Sequence, residues 1–304
     1  LRVFTALSAT SAAGQTPTAL SAFAILMQML RWADKRHPYC RMLIDSDLLG
    51  MEREDVIVGD YDPEEHEGTR VFDDAELREF ARRLARSTLP VNAKLLMLIM
   101  VSTGKRIRET CMGEWASLNF ETGEWTIPKE HAKNNRESIV YLSAFTLRLF
   151  HALRAISAGR YMFPARRHKG KKIERPITPN SISTAIRDRQ VTPKDYKLNA
   201  VDWDILVLDG GRWTSHDLRR TAATTMQRLG VGESIIHRCL NHTAKKAKDA
   251  AVATDSIKLG RIYLRRAYEA EMRDAWKRLG THLEQVMAVA DTMPVLMAAR
   301  GSNE

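Results

Sequence analysis

Six residues suited to phosphodiester chemistry without a metal are spread over the C-terminal two-thirds of this 304-residue sequence: Arg106, Lys133, His216, Arg219, His242 and Tyr263. Attack of a hydroxyl on a phosphodiester builds negative charge on the non-bridging oxygens, and fixed donors aimed at them stabilise it best. Arginine suits that task because its planar fork stays charged and bonds two oxygens at once. A tyrosine phenol, with a reference pKa of about 10, is far more acidic than an alcohol, and cationic neighbours favour its ionised form further. A lysine with a lowered pKa can protonate a leaving oxygen. Histidines can accept the phenol proton or hydrogen-bond the phosphate.

The elements that must position these groups are legible in part. Asp73 with Glu76 starts a helix whose Leu77, Phe80, Ala81 and Leu84 share a face. Pro90 separates it from a mostly buried helix over Ala93 to Ser102 that ends at Gly104. Arg106, in Thr103-Gly104-Lys105-Arg106-Ile107-Arg108-Glu109, therefore falls just past a helix end. After Trp115, apolar alternation around Glu121-Thr122-Gly123-Glu124 and at Ser138 to Leu142 predicts a small antiparallel sheet. Lys133 lies on the loop between its second and third strands, with Lys129 as the nearest rival. Helices follow over Thr146 to Ile156 and 180–189, whereas residues 190–213 lack a period and exceed an ordinary connection. From Ser215 the pattern is helical again, with Leu218, Ala222, Met226 and Leu229 on one face, Gly230 as the stop, and Ile235, Ile236, Cys239 and Leu240 in the next helix.

Two tyrosines compete as nucleophile. Tyr268, Met272, Ala275 and Leu279 recur at helical spacing, which puts Tyr268 on a core-facing stripe. Tyr263 lies five residues earlier, about 140° around the helix and off that stripe. Twenty residues, Thr243 to Ile262, separate it from His242, and their Ala-, Lys- and Asp-rich part reads as a tether.

The Arg106 box, His216-Asp217-Leu218-Arg219-Arg220-Thr221 and Leu240-Asn241-His242, in this order and followed by a tyrosine, resemble the tyrosine recombinases, the phage-integrase family. The resemblance covers roughly residues 70 to 280. It implies a mainly α fold with a small antiparallel β-sheet (α+β): a helical core-binding domain over residues 1–65 and a catalytic domain with a C-terminal tail over 66–304, closing on the duplex as a C-shaped clamp. It implies Arg106 and Arg219 as phosphate clamps, Lys133 as general acid, His216 and His242 as proton or phosphate partners, and Tyr263, the first of the pair, as nucleophile. Glu109 would orient Arg106, and Trp276 would pack. The implied reaction is site-specific strand exchange through a 3′-phosphotyrosyl bond, without a cofactor, by a homotetramer on double-stranded DNA, with accessory bending or directionality factors as possible partners. The long gap before Tyr263, unlike that of the better-known members, is compatible with tyrosine delivery regulated by assembly. With the Trp276 region it points to an integrase of a phage, genomic island or conjugative element. The rival readings are a DNA-binding regulator that does not cut and a monomeric topoisomerase that relaxes DNA without strand exchange.

The composition fits a polyanionic partner. The formal net charge is +10 and the pI about 9.6. Residues 166–175 carry six Lys/Arg against one Glu, so Arg166, Arg167, Lys169, Lys171 and Lys172 are expected on phosphates. A helix is predicted over 17–36, with Leu20, Phe23, Met27 and Leu30 at helix spacing and Gln28, Arg31 and Lys35 on other faces, towards DNA. A short helix is expected at Cys40 to Leu49, and acidic residues 51–69 read as the domain linker. Three scattered cysteines suggest no disulfide framework and favour a reducing bacterial cytoplasm or nucleoid. His237, Cys239 and His242 lack the spacing of a zinc site. The longest apolar run, Leu95 to Val101, is too short for a membrane span. The sequence opens on Leu1, and an N-terminal module that binds arm sites is expected to be missing. The tail, Thr281 to Ala299, has two open readings: packing on a neighbouring protomer or on its own domain.

Overall fold

The computed structural model describes residues 2–36, 39, 50–58, 70–165, 174–191, 202–242 and 268–288, and the chain divides into two compact units, Leu1–Gly68 and Thr69–Glu304. In the first, α1 (Arg2–Thr10) runs through a π-helical turn (Ser11–Gln15), kinked at Gly14, into α2 (Thr16–Asp34). Phe4 and Leu7 pack on Ala19, Phe23 and Met27, with the two phenylalanine rings edge to face at 6.0 Å. Two apolar residues one turn apart are too little pattern to announce α1 from sequence. Gln28, Arg31 and Lys35 are exposed, while the helix expected at 40–49 lies outside the described residues.

Residues 51–58 are not a bare connection. Val56 is fully buried in the first unit's core with Met51 against it, and Val58 N donates to Ser11 Oγ at 3.1 Å. The acidic residues around Val56 face solvent, so average composition hides a short packed turn.

The second unit is built around one buried helix. Its first helix, α3 (Asp74–Arg86), is capped by the Asp73 carboxylate, which accepts from Glu76 N at 2.8 Å. Next, α4 (Val91–Thr103) is apolar on every side and buried from Ala93 to Thr103, as expected of a helix inside a core. A short α5 (Ile107–Cys111) precedes strands β1 (Leu118–Asn119), β2 (Glu124–Ile127) and β3 (Ser138–Tyr141), an antiparallel meander with Leu118 opposite Trp125 and Trp125 opposite Val140. The remaining helices are α6 (Ala144–Ile156), α7 (Pro179–Arg187), α8 (Ser215–Arg228), α9 (Glu233–Cys239) and α10 (Glu269–Ala288). The central α4 packs against α6, α8 and α10.

The aperiodic stretch ahead of α8 is ordered by tertiary contacts where it is described. Gln190 and Trp213 exchange two hydrogen bonds of 2.9 Å, and the Trp213 indole N–H donates to Leu206 O at 2.9 Å. The Trp213 ring meets Phe72 and Phe80 edge-on, both at 5.4 Å. These contacts anchor the chain immediately before the helix that carries His216 and Arg219. Of the expected tail, Leu283, Val286 and Met287 continue α10 and are buried in their own unit's core, while Val289 and Ala290 lie outside the described residues.

Candidate active site

Gly104 ends α4 with φ of 66°, a left-handed conformation in which glycine is strongly favoured. A Cβ there would also come within 2.7 Å of Leu240 Cδ2 and 3.4 Å of Ala222 Cβ. This close approach lets Arg219, only 3% exposed, reach two loops at once. Its Nη1 donates to Gly104 O at 2.8 Å and its Nη2 to Leu240 O at 2.6 Å. One guanidinium thus ties the Arg106 loop to the His242 loop, with N–H groups left over for an anion.

Arg106 caps α5. Its backbone N–H and its Nη1 each donate to the Glu109 carboxylate at 3.0 Å, and Glu109 is 2% exposed. The first turn of α8 is held in the same manner. The Thr214 hydroxyl accepts from His216 N at 3.3 Å and donates to Asp217 Oδ2 at 2.8 Å, while Asp217 Oδ1 accepts from Arg220 at 2.7 Å. His216 stands exposed on that turn. His242 follows Asn241, whose φ is 52°, and its backbone N–H donates to His237 O at 2.9 Å.

The titration of these groups records their proximity. Desolvation and then Arg106 push the Arg219 pKa down to about 10, against a pull from Glu109. Desolvation, followed by Arg219, Arg106, His237 and His216, pushes His242 down to about 4. His216 is also lowered, by desolvation first, then Arg220, Arg219 and Arg106 against Asp217. Arg106, Arg219, His216 and His242 therefore share one concentrated positive field, suited to a phosphate.

Lys133 is exposed on the β2–β3 turn, and so is Lys129, so exposure does not choose between them. The turn itself is tied to the His242 loop. Asn134 Nδ2 donates to Asn241 O at 2.8 Å and to Asn241 Oδ1 at 3.1 Å, and Asn241 Nδ2 donates to Arg136 O at 3.0 Å. Sequence reasoning passed over both asparagines, although each adjoins a site residue. It also passed over Lys105, which lies inside the Arg106 box and is fully buried.

Tyr263 and the basic residues Arg166, Arg167, Lys169, Lys171 and Lys172 lie outside the described residues. Ala275 and Leu279 are buried as their stripe predicts, whereas Met272 and Tyr268 are half-buried. Tyr268 sits just before α10, with the Arg238 guanidinium 3.9 Å from its ring centre. It lines a cavity of about 270 Å³ together with Arg136, Ser138, Arg238, Asn241 and His242. Its carbonyl accepts from Met272 N at 2.9 Å, which sets it at the cap of α10. Trp276 packs as expected, its indole N–H donating to Thr103 O at 3.1 Å. Among the described residues no three His, Cys, Asp or Glu side chains are grouped to hold a metal ion, and no helix is long and apolar enough to cross a membrane.

A helical domain with a three-stranded meander brings the Arg106 loop, the first turns of α8 with His216 and Arg219, and the His242 loop together, which is the arrangement expected of an integrase-type fold. The family model described as the Phage integrase family matches residues 70–248, and this chain belongs to that family. Prophage integrase IntA of Escherichia coli (strain K12) is 23% identical over 171 residues, which cover 56% of this chain and 36% of that protein, so the match spans little more than a third of the relative's length. A lambda integrase tetramer bound to a Holliday junction has a TM-score of 0.57 at 14% identity over 82% of this chain and 66% of that one. XerH site-specific recombinase bound to difH substrate has a TM-score of 0.52 at 16% identity over 87% of this chain and 66% of that one. At these identities the likeness establishes the fold.

Proposed function

We propose that this protein is a site-specific DNA recombinase that integrates or excises a mobile element by cutting and rejoining strands through a 3′-phosphotyrosyl intermediate. The observation that carries the reading is the Arg219 guanidinium, buried and bonded to the main chain of both the Arg106 and His242 loops, in a field shared with Arg106, His216 and His242. Such fixed donors stabilise the charge that builds on a phosphorane without reorganising during the reaction. Tyr263 attacks the phosphorus, the DNA 5′ oxygen leaves with a proton from Lys133, and His216 accepts the phenol proton. The covalent bond conserves the energy of the phosphodiester, so a partner 5′ hydroxyl reverses the step without ATP. Exchange between two duplexes calls for four protomers, and the lambda integrase tetramer on a Holliday junction is a fitting precedent. Residues 1–65 would grasp the duplex, with Gln28, Arg31 and Lys35 on its backbone and the 166–172 basic run on phosphates.

Tyr268 is the competing nucleophile, because it shares a cavity wall with His242. Incubation with nicked suicide duplexes spanning the ends of the element that carries this chain, in chelator and without ATP, tests the reading. A covalent protein–DNA band that persists in Tyr268→Phe and vanishes in Tyr263→Phe is expected. Tight binding with no band in the wild type would favour the non-cleaving regulator.

A further inference from the structure

Lys105 is buried completely, and its ammonium is directed at parts of the chain that carry the site. Its Nζ donates to Cys239 O at 2.9 Å and to Ser138 Oγ at 3.3 Å, and lies 5.7 Å from the centre of the Trp276 ring. Each anchor adjoins a group invoked above. Cys239 closes α9 just before the Leu240-Asn241-His242 loop, and Ser138 opens β3 at the end of the Lys133 turn. Trp276 belongs to α10, which starts just after Tyr268. Lys105 itself stands between Gly104, whose carbonyl receives Arg219, and Arg106.

We propose that Lys105 is a positioning residue for strand transfer, holding the His242 loop, the Lys133 turn and the Arg106 loop at fixed separations; this rests on the recombinase reading above. Space filling does not account for it. Burying an ammonium is costly, and an apolar side chain of similar volume at such a place is often neutral or stabilising. Burial is the main force lowering its pKa. Arg219 and Arg106 lower it further, Glu109 and Cys239 raise it, and it comes to about 8, so the group is still mainly protonated at neutral pH. A charge kept in the core beside two arginines acts through the donors it supplies: one on a backbone carbonyl, one on a hydroxyl.

The test compares wild type, Lys105→Met and Lys105→Gln on the same suicide duplexes, with either a phosphodiester or an uncharged methylphosphonate at the cleaved position. DNA affinity and thermal melting are measured alongside. Lys105→Met is expected to keep its melting temperature and DNA affinity while forming adduct roughly 10- to 100-fold more slowly, the scale of a misplaced reacting group. The deficit should narrow on the methylphosphonate, which makes a smaller demand on the positive cluster. Lys105→Gln, able to donate to Cys239 O, should recover part of the rate. Equal adduct rates in wild type and Lys105→Met would overturn the inference. So would a fall in melting temperature in both variants with the same deficit on both substrates, because that describes a scaffold residue only. No adduct from the wild type on either duplex would count against the recombinase reading itself, and the inference would fall with it.

Discussion

The half of the site proposed to clamp charge and the half proposed to protonate the leaving oxygen are built differently. Arg219 is buried, with two donors fixed on Gly104 and Leu240, and Arg106 is held by a buried Glu109. Lys133 stands exposed on a turn. On that reading, the donors for the developing charge are preorganised in the core. The proposed proton donor is carried on a surface turn that the pair Asn134 and Asn241 ties to the His242 loop. Substitutions in the first half should therefore change stability and chemistry together, whereas those in the second should change chemistry alone.

The largest expected effect is at Arg219. Arg219→Met leaves two buried carbonyls unpaired and removes a phosphate donor, so adduct formation should fall by about 100- to 1000-fold and stability by about 1–3 kcal/mol. Lys133→Ala should match the kinetic loss with no shift in melting temperature. Single-turnover adduct assays paired with calorimetry separate the two, and a drop in melting for Lys133→Ala would show that the fold holds Lys133 as it holds Arg219. Next comes Gly104→Ala, where a positive φ and the 2.7 Å approach to Leu240 combine. Urea denaturation should show a loss of about 1–3 kcal/mol. Unchanged stability would mean that the Gly104 and Leu240 loops are less closely apposed than described.

Untying the turn is a smaller perturbation. Asn134→Ala should cost about 1 kcal/mol or less and slow adduct formation by roughly 10-fold through a looser Lys133. A wild-type rate would detach the turn from the chemistry. The smallest effect is on pH dependence. The folded-state pKa of His242 is about 4 against 6.5 for the free side chain. Between these values the unfolded chain binds more protons, so His242's contribution to stability is complete above about pH 6.5 and declines as pH falls towards 4. His242→Asn should show a shallower loss of melting temperature between pH 7 and pH 5 than the wild type. Parallel curves would place His242 outside the positive field.

The sequence made the clamping half legible and left much of the rest unread, for physical reasons. Arg106 and Arg219 fall in boxes whose order carries the family resemblance, and the helices beside them have clear apolar faces or a glycine stop. Asn134 and Asn241 are 107 positions apart, and no local pattern announces such a pair. Lys105 looks like any surface lysine until α9, β3 and α10 close over it. Trp213 sits in an aperiodic stretch because its order comes from Phe72, Phe80 and Gln190 rather than from neighbours in sequence. The stripe is buried at Ala275 and Leu279 and only half-buried at Met272 and Tyr268, because it runs out towards the cavity that His242 lines at the cap of α10.

A covalent bond between DNA and one identified tyrosine separates the recombinase reading from a regulator that binds without cutting. Trypsin cutting after Arg261, Arg265 and Arg266 places Tyr263 and Tyr268 on different peptides. The most direct measurement is mass spectrometry of the trapped wild-type adduct after nuclease and trypsin digestion. A 3′-linked nucleotide on the peptide Ile262 to Arg265 is the predicted result. The same nucleotide on the peptide Ala267 to Arg273, or no nucleotide on any tyrosine, would contradict it.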